Sequence, residues 1–169
     1  MTIPPALDDF CLWLQRTDVS IAIQSHAWVV PAVQSVHILS IGAVTVSALI
    51  ITLRLFDAGW RERPANDVSH TFLRVIWRAL PVLLVSGLLM IIAEPARSLE
   101  NPIFYLKMLL LLIAIASTLG FQLPLDKDPA FWQATRRRLL VSKLWTVSSL
   151  VLWVAITFSG RWIAYIEAL

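Results

Sequence analysis

The chain has 169 residues, of which 58% are hydrophobic and 15% charged, with a formal net charge of +3. That balance is too apolar and too charge-poor for an ordinary soluble domain, and the length suits one domain. One cysteine, Cys11, excludes an intrachain disulfide and a cysteine-built metal cluster, and no hydrolytic triad, Walker loop, dinucleotide fingerprint or zinc-helix motif is present.

Residues 6–25 come first. Leu7, Phe10, Cys11, Leu14 and Ile21 recur at helical spacing, with Asp8, Asp9, Arg16 and Asp18 on the other side. The spacing predicts an amphipathic helix lying in the membrane interface, with docking to a partner subunit as the other reading. The first long apolar run starts near Trp28, behind acids rather than the basic segment of a secretory signal, and is expected to stay in the mature protein.

A crossing helix needs about 20 mostly apolar residues. The first span is expected over 28–54, uncharged from Trp28 to Leu53, and the second over 72–93, with Arg74 and Arg78 snorkelling to the interface. The third is expected over 103–123 with Lys107 in its first turns, and the fourth over 143–165. The fold class is therefore an all-α membrane protein: a four-transmembrane-helix up-down bundle with an N-terminal amphipathic interfacial helix, all in one integral membrane domain, 1–169.

Cation placement predicts the orientation. Arg54, Arg61, Arg63, Arg74 and Arg78 flank the first inter-span loop, and Lys127, Arg136, Arg137, Arg138 and Lys143 flank the third. The other side holds only Arg16, Arg97, Lys107 and Arg161. The positive-inside rule then places both termini on the periplasmic side of a bacterial inner membrane. Arg136 to Arg138 read as a stop-transfer anchor that attracts anionic lipid, not as a nucleic-acid site. Tryptophans such as Trp28, Trp60, Trp77, Trp132, Trp145 and Trp162 suit aromatic belts at the two interfaces.

Polar residues inside a span are costly, about 2.5–3.5 kcal/mol for a charge at its centre, so they mark candidate sites. His37 lies about 14 Å past Trp28 along the helix, and Gln34, Ser40, Val44 and Ser47 share its face. It reads as a heme-iron ligand or proton carrier, or else as a hydrogen-bonding residue between helices. Glu94, Arg97, Lys107 and Arg161 gather at the outer ends of the spans. They could hold a propionate, a quinone oxygen or a lipid phosphate, or act as snorkelling anchors. His26 and His70 fall on opposite sides, so a heme on His37 needs Met90, Met108 or Lys107, a five-coordinate iron, or a histidine from another chain.

The stretch from Trp28 through Pro31, Val36-His37-Ile38-Leu39, Gly42 and Leu53-Arg54-Leu55-Phe56 resembles an uncharacterised family of small four-helix proteobacterial inner-membrane proteins. So do Asn101-Pro102-Ile103-Phe104-Tyr105-Leu106-Lys107, Ser142-Lys143-Leu144-Trp145 and Gly160-Arg161-Trp162-Ile163-Ala164-Tyr165. More remotely, the chain is similar to the copper-resistance D proteins and the HemJ-type protoporphyrinogen oxidases. The latter resemblance implies a heme b or porphyrin contact at His37 and Lys107. Phe121-Gln122 stands where related sequences often show a second histidine, and the Arg-x-x-Asn-Glu signature is absent.

Three functions follow as expectations. The first is a redox subunit holding heme b or quinone through His37, Lys107, Arg161, Gln34, Met90 and Met108, with His37 as the one metal ligand. The second is a structural subunit of a membrane complex. The third is copper or small-solute transport, weakened by the scarcity of soft ligands. The expected partners are the lipid bilayer, other membrane or periplasmic redox subunits, or a second copy of the chain.

Overall fold

A computed structural model describes residues 5–59 and 61–166, with side chains over 6–59 and 61–162. Trp60 and the side chain of Tyr165 lie outside the described residues. All the regular structure described is helical. The seven helices are α1 Pro5–Gln15, α2 Asp18–Ser25, α3 Val29–Leu55, α4 Ala65–Ala93, α5 Pro95–Leu99, α6 Pro102–Lys127 and α7 Arg136–Ile166. Four of them, α3, α4, α6 and α7, are long and apolar enough to cross a membrane.

Local chemistry sets the helix ends. The N-terminal segment breaks in two at Thr17, whose side chain caps α2 by accepting from Ser20 N. α3 ends in a Schellman motif, with Ala58 N donating to Leu53 O and Asp57 N to Arg54 O, and Asp57 in the left-handed region at φ 57°. α4 starts two turns ahead of the expected span, because Ala65, Val68 and Ser69 are already buried against the bundle. It stops at Ala93, since Glu94 precedes a proline and is driven out of helical geometry. Asn101 caps α6 by accepting from Ile103 N at 3.0 Å, with Pro102 in the first turn.

α3 packs on α4 and on α7, and α7 packs on α6, while α4 and α6 meet over far less of their length. Contacts run in opposite chain senses. His37 meets Ser86 while Arg54 meets Arg63, and Trp145 meets Ser117 while Lys107 lies against Gly160.

The core is densest in one half of the bundle. The buried residues of the spans fall in 44–55 of α3, 65–79 of α4, 114–125 of α6 and 142–156 of α7. Towards the other end, Ser86 and Ala93 are buried on α4, and the register of α6 on α7 brings the buried Trp153 and Ile156 to the level of Lys107. The packed end is sealed by Trp132, which stacks on Phe121 at 5.3 Å and donates its indole N–H to Phe121 O. Trp132 therefore belongs to the core rather than to an aromatic belt. Trp77 and Trp145 spend their N–H groups on Gln122 and Ser117 O, whereas Trp28 and Trp162 are exposed as a belt requires.

At the loose end α1 and α2 lie across α4 and α5. Ser20 Oγ donates to Ile92 O at 2.8 Å and Gln24 Nε2 to Ala93 O at 2.9 Å, satisfying two of the last carbonyls of α4, which have no helical donor once the helix ends at Ala93. The expected single apolar face divides here. Cys11 is buried against the protein, while Phe10, Trp13 and Ile21 stay exposed.

Candidate functional site

His37 sits on α3 within the loose half. Its Nδ1 is 2.7 Å from Ser86 Oγ on α4, and Ser86 Oγ itself lies 2.6 Å from Val82 O. A hydroxyl has one proton. With that proton given to Val82 O, Ser86 accepts from His37 Nδ1–H, and the His37 lone pair is left on Nε2. The imidazole is thus held from one side and chemically open on the other, as in a metal-ligating or proton-accepting histidine. Its Cε1 lies 3.6 Å from where a Cβ on Gly87 would stand, ordinary contact distance, so the ring rests against the α4 backbone at Gly87.

Lys107 enters from α6. Its Nζ would be 3.4 Å from a Cβ on Gly160, so its end lies along the α7 backbone. The Trp145–Ser117 contact sets the register of this helix pair, and Gly160 is about five residues past the level of Lys107 towards the loose end. Lys107 therefore snorkels towards that membrane face. Among the described residues its nitrogen makes no hydrogen bond or ion pair, and it stands within electrostatic range of His37.

The other expected site residues are not drawn into this pair. Glu94 is taken by Arg97 at 2.7 Å, and Arg161 is exposed. Gln34 and Ser40 are half-buried on the His37 face, and Ser40 bonds back to Val36 O. Met90 is one turn beyond Ser86 on α4 and Met108 follows Lys107 on α6. Neither sulfur bonds His37 among the described residues. No group of three His, Cys, Asp or Glu side chains suited to a metal occurs among them. His26 bonds Ser25, and His70 stands 3.6 Å from Asp126 at the opposite end.

Ser86, Gly87 and Gly160 were not read as site residues from the sequence. The signal was there in part: a Ser-Gly pair interrupts an otherwise large-residue apolar run in α4.

Four apolar spans around a partly open polar pair define an integral membrane four-helix bundle. The chain belongs to a family of unknown function, DUF6644, whose pattern covers residues 21–166. That match carries no link to the copper-resistance D or HemJ-type proteins. No curated protein and no solved structure matches the chain.

Proposed function

We propose that this protein is a quinone-binding subunit of a bacterial inner-membrane redox system, with both termini periplasmic. The carrying observation is a histidine on α3 whose Nε2 has no hydrogen-bond partner among the described residues, within electrostatic range of a lysine that has no carboxylate partner there. Lys107 donates to one quinone oxygen. His37 Nε2 accepts a hydrogen bond from a quinol hydroxyl, with Ser86 holding the ring in that tautomer. On this reading Arg161 and Gln34 add polar contacts to the bound ring, and Met90 and Met108 add apolar ones. The orientation rests on ten Lys and Arg residues beside the first and third loops against four elsewhere.

A b-type heme on His37 is the second reading, favoured by the Ser86–Nδ1 bond, which is how ligating histidines are commonly oriented. His37 would be this chain's one ligand to the iron, and a second ligand would have to come from another chain or a neighbouring redox subunit. A purely accessory role is the reading to beat. Titration of detergent-purified protein with a short-tailed benzoquinone, alongside oxidised and dithionite-reduced visible spectra, separates the three. Quinone binding that falls about tenfold or more in His37→Ala and Lys107→Met supports the proposal. A Soret band lost in His37→Ala replaces it with the heme reading. Neither signal leaves the accessory role.

A further inference from the structure

We infer that one ordered water molecule is bound between α3 and α7, bridging Thr45 Oγ1 and the Trp153 indole N–H. Both atoms are buried, and neither has a hydrogen-bond partner among the described residues. An indole N–H can only donate, and leaving it unmet away from water is costly, so it calls for an acceptor.

Thr45 departs from its neighbours. Ser47, Thr52, Thr118 and Thr157 each give the hydroxyl proton to the carbonyl four residues back. Thr45 does not, so its hydroxyl is turned elsewhere and leaves the Ile41 carbonyl with a lone pair to offer.

Two contacts place Thr45 and Trp153 at one level. α3 packs on α7, and the two run in opposite senses. Lys143 Nζ lies 5.1 Å from the centre of the Phe56 ring. Thr45 stands eleven residues before Phe56, and Trp153 ten after Lys143. Towards the other end, the Lys107 side chain lies against Gly160 and within electrostatic range of His37. Thr45 stands eight residues after His37, and Trp153 seven before Gly160. The two counts agree, and the reach of the lysine side chains widens the match to about one helical turn. The faces agree as well. Thr45 is about 20° round α3 from Phe56, hence towards α7, and Trp153, 2% exposed, points into the bundle.

Burial decides the size of the guest. Val44 beside Thr45 and Ile156 one turn past Trp153 are both buried, so the pair is shut off from lipid and solvent. A closed polar gap suits a water, which needs two to four polar partners, and not a larger molecule. This water accepts from Trp153 Nε1–H and Thr45 Oγ1–H and donates to Ile41 O. It pins the helix that carries His37 to the helix that receives the end of Lys107.

The test is NMR of the detergent-purified chain, isotope-labelled at its tryptophans, with Trp153 assigned by the indole signal missing in Trp153→Phe. The expected result is a cross-peak between the Trp153 indole proton and water, while Trp132 and Trp145, which donate to backbone carbonyls, show none. Thr45→Val removes that cross-peak and Thr45→Ser keeps it. In reversible unfolding, Thr45→Val and Trp153→Phe each raise the unfolding constant about fivefold or more, and the double variant falls about fivefold short of their product. Strong coupling without a water cross-peak means that the indole donates directly to Thr45, and overturns the water. A cross-peak that survives Thr45→Val, or effects that simply multiply, overturns the bridge. Where a variant fails to fold, the parent protein decides: no cross-peak at Trp153 overturns the site.

Discussion

Gly120 shows how closely the packed half of the bundle is fitted. A Cβ there would stand 2.8 Å from Trp145 Cζ2, and that indole is fixed by its bond to Ser117 O at 3.0 Å. Gly120→Ala should therefore lower stability by about 1–3 kcal/mol, read as an earlier thermal transition in detergent, despite the better helix propensity of alanine. Gly87→Ala should be mild by the same measure, because its nearest neighbour is 3.6 Å away. Cys11 carries a chemical prediction. Burial, then the Glu100 and Asp8 charges, push its thiol above the usual range. The thiolate is the reactive form, so alkylation near neutral pH should be slow in the folded protein and should accelerate as pH rises or the chain unfolds. At this scale, His37 and Lys107 were legible in the sequence because a titratable residue inside an apolar run is conspicuous. Ser86 and Gly160 were not, because small residues in such runs usually serve only helix packing.

Among the helices, α2 is attached to α4 chiefly through two side chains. Ser20→Ala removes the donor to Ile92 O and should cost about 1 kcal/mol, leaving a carbonyl unmet at a helix end. Because only Arg16 and Thr17 separate α1 from α2, the same change should speed Cys11 alkylation, which mass spectrometry would resolve; an unchanged rate would separate α1 from this anchor. Pro81→Ala should restore the missing bond to Trp77 O and raise the thermal transition in detergent. The number and approximate places of the spans were legible from apolar run length. The additional turns of α4 and α7 were not, since their polar first turns lie at the membrane surface, where hydropathy falls although the helix continues. The short α5 escaped notice for the same reason.

For the whole molecule, the orientation is directly testable. In a Cys11→Ser background, Ser25→Cys should react with a membrane-impermeant thiol reagent in intact cells, and Ala58→Cys should react only after permeabilisation; the reverse pattern would invert the topology. The sequence by itself determined that this chain crosses a membrane four times, because burying about 20 apolar residues per segment depends on length and composition alone. It also marked which polar residues are costly enough there to demand a reason. Only the tertiary structure decided that the core is densest at the end sealed by Trp132 and that α3 has no fully buried residue ahead of Val44, on the stretch that carries His37. That outcome depends on which faces meet across helices distant in the chain, and on one proline and two glycines whose effect is felt only against a neighbouring helix.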